Sequence, residues 1–350
     1  MFRLAFACLT LWLMLNTPVI AQGTDTDLGQ ALDRYETGAS RLITEWQIKK
    51  QVKVTLDGTS REFVSLHGSG RVQQWQQGFL LSLKHTPLWP PRPPISEKAF
   101  SSPGTREEEW VVLKHTPTAI IGGAMVHRRV PHATAQRFYG SGHGLNSALC
   151  TVVLLGMNPL RVLEKGYTVQ EEGNLIRVKG RFLPDILVQQ RVPEVELILD
   201  PAKGYAPIRM AANARTYTEE VHVLKWKQVG GKWIPQEVDV TERAHFGSNI
   251  TTSRMNCRLT GVKRTSPQPP GWLSDDLLIE DARWGLPGIT YRLKDGIPKI
   301  EDLKRMRERE REGKHNDRRE VGWLKLSAPL LMIVVGIVWY WKLARTGTGR

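Results

Sequence analysis

Residues 195–210, VELILDPAKGYAPIRM, restrict the chain's fold more than any other stretch. Val195, Leu197 and Leu199 recur with a period of two, the spacing that puts alternate side chains on one face of a strand. Asp200-Pro201-Ala202-Lys203-Gly204 then supplies turn chemistry, and a second extended run follows. The device repeats at 221–242, VHVLKWKQVGGKWIPQEVDVTE, where Gly230-Gly231 is a two-residue hairpin turn. Gly173-Asn174 joins another pair of strands, and a further strand covers 250–263. Nearer the start, Trp46, Ile48, Val52, Val54 and Leu56 alternate with polar residues up to a turn at Asp57-Gly58. The run REFVSLHGSGRVQQW follows, and Gly78 punctuates before FLLSLKH. Hairpin after hairpin predicts a mainly β fold built on an antiparallel sheet.

Two stretches carry a helical period instead. Residues 27–44 place Leu28, Leu32, Tyr35 and Leu42-Ile43 on one face, with Asp27 as cap. Residues 145–164, LNSALCTVVLLGMNPLRVLE, are apolar and predicted helical, with a break at Asn158-Pro159. Five prolines between 87 and 94 make the following segment a loop or lid, because proline cannot donate to a sheet. TSPQPPGW reads as a loop and GLPGITYRLKDGIP as a last, irregular edge.

The ends set a topology. Residues 1–21 have the basic start, apolar run and small residues of a cleaved secretory signal. Leu326 to Trp341 lack charge, lie between Lys325 and Lys342, and carry aromatic residues at the rims. These features predict a single transmembrane helix over 322–343, with 344–350 as a cytoplasmic tail. Between the body, 22–298, and the span, residues 299–321 alternate charge signs and predict a helical stalk. The bulk of the chain is then extracytoplasmic, on the periplasmic side of a cell membrane. A net charge of +14 favours an anionic headgroup or wall polymer as partner over nucleic acid, or else only solvates the surface.

No catalytic constellation emerges. YGSGHG at 139–144 matches neither a nucleophile elbow nor a phosphate loop, and His127, His132 and His143 lack metal-ligand spacing. Glu107-Glu108-Glu109 and Asp275-Asp276 are expected in loops. The reading is a non-enzyme without cofactor or metal. After signal removal Cys150 and Cys257 remain, either as a disulfide or as two buried thiols.

The order of parts resembles the periplasmic lipoprotein-carrier family, the LolA-like or outer-membrane lipoprotein-sorting proteins. The resemblance rests on GSGRVQQWQQGFLLSLKH, the Leu199-to-Arg209 pattern L-D-P-x-x-G-Y-x-P-x-R and the strand pair after it, and it covers residues 27–298. It implies a half-barrel, a curved antiparallel sheet closed by helices, around an apolar cavity that accepts acyl chains. The expected partners are therefore a lipid or lipoprotein acyl group, with another envelope protein as the alternative for a scaffold or signalling module. Candidate lining residues are Trp46, Ile48, Val52 and Val54 on the first long strand and Leu81 and Leu83 on a later one. Leu197, Leu199, Leu224 and Trp226 are the candidates on the second meander.

The mature protein is expected to begin at Gln22 and to need detergent for extraction. A chain ended at Gly322 should appear in the soluble fraction, and its sedimentation with membranes would count against the C-terminal anchor.

Overall fold

The computed structural model describes residues 24–39, 41–56, 59–87, 106–122, 132–137, 147–183, 193–246, 248–284 and 288–310. The expected signal, proline-rich segment, YGSGHG loop and membrane span lie outside them, as do Asp57-Gly58 and the second half of the stalk. Among the described residues no helix is long and apolar enough to cross a membrane. The chain divides into two units, residues 1–296 and 297–350. The second contributes one described helix, over 300–310, in the first half of the expected stalk.

In the first unit, α1 (Thr24–Ala39) precedes three long strands, β1 (Leu42–Leu56), β2 (Thr59–Trp75) and β3 (Gly78–Pro87). Three shorter ones follow, β4 (Arg106–Leu113), β5 (Thr116–Gly122) and β6 (His132–Arg137), and then α2 (Ala148–Leu155). The second meander comprises β7 (Thr168–Glu172), β8 (Leu175–Arg181), β9 (Glu194–Asp200), β10 (Ala206–Ala214), β11 (Tyr217–Val229), β12 (Lys232–Phe246) and β13 (Asn249–Arg264). Short β14 (Leu278–Asp281) and β15 (Ile289–Arg292) complete the set. All fifteen form one open, curved sheet in the order β15-β14-β6-β5-β4-β3-β2-β1-β13-β12-β11-β10-β9-β8-β7.

The turns behave as their residues require. Gly230 and Gly231 both have positive φ, 58° and 81°, the two left-handed positions of the tight turn between β11 and β12. After β9, Asp200 caps a 3-10 turn by accepting from the Ala202 N–H, and Gly204 closes it at φ 68°. The sheet is mixed rather than wholly antiparallel, because β14 runs parallel to β6. This pairing joins segments far apart in sequence, which adjacent hairpin signals cannot announce.

Helix α2 fills the concave face. All eight of its residues are buried, seven of them apolar and the eighth, Thr151, donating its hydroxyl to the Ser147 carbonyl, and it packs against β2, β3, β10, β11 and β12. Ser147 caps its first turn by accepting from the Cys150 N–H, and Gly156 ends it at φ 65°. The expected break at Asn158-Pro159 is there: Asn158 caps a 3-10 turn over Pro159–Val162.

Two sequence expectations need correction. The first helix ends at Ala39, not at residue 44: Leu42 pairs with Arg264 and Ile43 with Gln73, so both belong to β1. Sheet pairing on both sides outweighs a helical period already weakened by Gly38. Glu107, Glu108 and Glu109 are not in a loop but on β4. Across the strand, Lys84 pairs with Glu107 at 2.7 Å, and His85 Nε2 lies 3.2 Å from a Glu108 oxygen.

Because α2 makes the core continuous, Leu149→Ala should cost about 2–5 kcal/mol, the range for a buried leucine whose site cannot collapse. Urea denaturation of the two proteins measures the difference, and a loss under about 1 kcal/mol would contradict a packed concave face.

Candidate functional site

Among the described residues, a cavity of about 490 Å³ lies between the curved sheet and the two helices, at the α1 end of the concave face. Ala31, Tyr35 and Gly38 of α1 line one side, and Leu42, Thr44, Val72 and Gln74 come from β1 and β2. The C-terminal half of α2, Val153 to Gly156, lies opposite. Two turns close the ring, Ala202–Tyr205 after β9 and the β11–β12 hairpin with Trp233, Ile234 and Pro235. The volume falls in the range of small-molecule pockets, and the walls are mostly apolar.

An ionic clamp fixes α1 over this space. Glu36, almost wholly buried, accepts from the Asn158 N–H and from Arg161 Nε, both at 2.9 Å, and lies 3.4 Å from Lys114 Nζ. Asp33 accepts from the Asn158 amide at 2.9 Å. The apolar face of α1, with Leu28, Ala31 and Leu32 buried, therefore docks in one orientation. Burial pushes the Tyr35 hydroxyl pKa up, so at neutral pH this wall presents an uncharged phenol.

The residues expected to line a cavity are distributed differently. Trp46, Ile48, Leu81, Leu83, Leu197 and Leu199 do share the concave face, but they pack against α2 as a filled core and none lines the cavity. Val52 and Val54 are half-buried, beyond that core. Trp226 is partly buried against it. Leu224 is a correction, being 56% exposed. The register shifts there: Val223 faces Val238 and Lys225 faces Glu237, leaving Leu224 as the extra residue of a bulge. Cys150 and Cys257 are free thiols, both buried. A hydrogen bond between them, followed by burial, raises the Cys150 pKa and keeps it inert at neutral pH.

A polar row that sequence reading missed crosses the other end of the concave face. Glu219 on β11 is 1% exposed and lies beside Glu242 on β12. One oxygen of Glu219 accepts from the Leu149 N–H at 3.1 Å and from the Ser147 hydroxyl; the other accepts from the Tyr217 hydroxyl at 2.9 Å. Lys50 neutralises Glu242 at 2.9 Å. Burial, and then the charge of Glu242, raise the Glu219 pKa to about 7. The sequence held a signal for this, because Tyr217, Glu219, Val221 and Val223 alternate in one parity. Among the described residues no group of histidine, cysteine or acidic side chains could hold a metal ion.

No family model matches the sequence, and no curated protein matches it. Solved structures similar to it include a DUF1329 family protein from Desulfovibrio piger, at 9% identity, 74% of this chain, 98% of that one and a TM-score of 0.37. They also include a LolA superfamily protein from Nitrosomonas europaea, at 9% identity, 70% and 94% coverage and a TM-score of 0.38. The latter carries the family name that the sequence resembles. Lipovitellin is a third, at 11% identity, with 66% of this chain, 26% of that one and a TM-score of 0.26.

The Glu219 environment generates a pH test. Its folded pKa lies above the unfolded value of 4.5, so its contribution to stability is complete below pH 4.5 and is lost as pH rises through about 7. Glu219→Gln keeps an acceptor for Leu149 and Ser147 without the charge. Wild type and variant should match in stability near pH 4 and separate by up to ~3 kcal/mol, variant more stable, near pH 8. Parallel curves across that window would show that Glu219 is not a buried acid.

Proposed function

We propose that the chain is an extracytoplasmic lipid- or lipoprotein-binding protein, held to a membrane by the 322–343 span, and that it binds an acyl chain without chemistry on it. The observation that carries the reading is the cavity of about 490 Å³ walled by α1, the end of α2 and two hairpin turns. Burying hydrocarbon there gains about 25 cal/mol per Å² removed from water. The sequence resemblance to lipoprotein carriers points the same way. A tethered carrier cannot diffuse between membranes, so the function is capture or presentation at one surface.

A second reading, an envelope scaffold or sensing domain with a protein partner, draws on the part of the concave face that α2 fills. In that case the cavity would take nothing.

Native mass spectrometry and displacement of a fluorescent fatty acid from the full-length protein separate the two. Wild type should carry co-purifying lipid and bind the probe. Ala31→Phe, which grows a ring into the cavity from α1, should reduce probe binding about tenfold or more with the circular-dichroism melt little changed. Absence of lipid and of probe binding in wild type would leave the scaffold.

A further inference from the structure

The rim of the cavity concentrates positive charge that its own carboxylates do not answer. Arg34 and Lys232 line it, and Arg41 immediately precedes the lining residue Leu42. Arg264, the cross-strand partner of Leu42, lays its guanidinium against the β11–β12 turn: a Cβ on Gly230 would stand 1.2 Å from Nη2. Lys232, just past that turn, donates from Nζ to the Gly38 carbonyl at 2.7 Å. No lining residue is acidic. Lys203, also at the rim, is paired with Asp200, while Asp33 and Glu36 of α1 are engaged by Arg161, Asn158 and Lys114. No carboxylate among the described residues pairs with Arg34, Arg41 or Arg264. Partial burial, then repulsion from Arg41 and Arg264, lowers the Lys232 pKa, the mark of cations held together without a counter-charge.

A second, independent observation lies inside. Gln74 on β2 is 1% exposed, lines the cavity, and neither its amide nitrogen nor its oxygen has a hydrogen-bond partner. A buried amide left this way destabilises the fold unless something else bonds to it. A purely hydrocarbon ligand would leave both the amide and the cations unanswered.

We propose that this rim is a binding site for the anionic head, phosphate or carboxylate, of an amphiphile whose chain lies in the cavity. Arg41, Lys232 and Arg264 surround the head, and the Gln74 amide bonds to an oxygen of the ligand. Guanidinium groups suit such heads because their paired N–H donors match two oxygens at once. The proposal rests on the acyl-binding reading and adds the class of ligand.

The test uses full-length protein in an uncharged polyoxyethylene detergent at about 0.1 M salt, where surface charges still act over about 10 Å. Photolabelling by a hexadecyl phosphate carrying a diazirine in its chain is competed with hexadecyl phosphate, hexadecanoate, hexadecanol and hexadecyltrimethylammonium. Both anionic competitors should be about tenfold or more stronger than the alcohol, and the cationic one weaker still. In the double variant Arg41→Gln/Arg264→Gln the anionic advantage should fall to about twofold or less, with hexadecanol unaffected, and Arg41→Lys/Arg264→Lys, which keeps the charge but not the paired donors, should restore only part of it. Gln74→Leu should weaken the anionic competitors while the protein melts at the same or a higher temperature. Equal competition by alcohol and phosphate, or an advantage unchanged in the double variant, would overturn the headgroup site. Titration with inorganic phosphate separates the sources. If it binds as tightly as hexadecyl phosphate and depends on the same arginines, the anion site stands and the chain-binding reading fails. If neither amphiphile nor phosphate binds, both fail.

Discussion

The first unit depends on the burial of one short helix in which Thr151 alone is polar. α2 has no polar face to offer water, so it is stable only where the sheet curves around it, and the sheet's concave residues are covered only where α2 lies. The two are conditions of each other. The helix cannot enter the core without its N-terminal N–H groups, and the chain answers them with Ser147 and Glu219. A carboxyl in that position complements the positive end of the helix, while burial drives it toward its neutral form. Glu219 thus balances two opposing demands, and Lys50 relieves the neighbouring charge on Glu242.

The cavity follows from where this packing stops. α2 is only two turns long, and beyond Gly156 its apolar surface ends. α1 could have closed the gap by settling deeper, but Glu36 and Asp33 tie it to Asn158 and Arg161 beside the 3-10 turn. The space is therefore bounded by polar attachments at its edges, and its walls set Thr44 and Gln74 among apolar side chains.

Much of the fold was legible because hairpin turns speak locally. Asp200-Pro201 with Gly204, Gly230-Gly231 and Gly173-Asn174 each mark a reversal without knowledge of the rest. The Asn158-Pro159 break was legible for the same reason. Face assignment was weaker. Trp46, Ile48, Leu81, Leu83, Leu197 and Leu199 do turn inward, yet a single bulge sends Leu224 out, and strict alternation has no means of detecting it. The β6–β14 pairing and the residues that line the cavity were hidden because each is assembled from segments that only tertiary structure unites. Charge misled at β4, where three glutamates suggested a loop but lie on a strand, Glu107 paired across it with Lys84.

One seam in the sheet has a consequence for how the protein is made. β1 is zipped to β2, its neighbour in the chain, and on its other edge to β13, with Leu42 opposite Arg264. The later meander can form hairpin by hairpin as it emerges, but β1 must wait with one edge open until β13 exists. Such distant pairing is slow, because a long loop must close before any contact rewards it. An exported chain would therefore cross the membrane as unjoined pieces and gain its single sheet only after nearly the whole unit has arrived. During that interval the exposed edge of β1 is the place where a chaperone would be most needed and a second copy most dangerous.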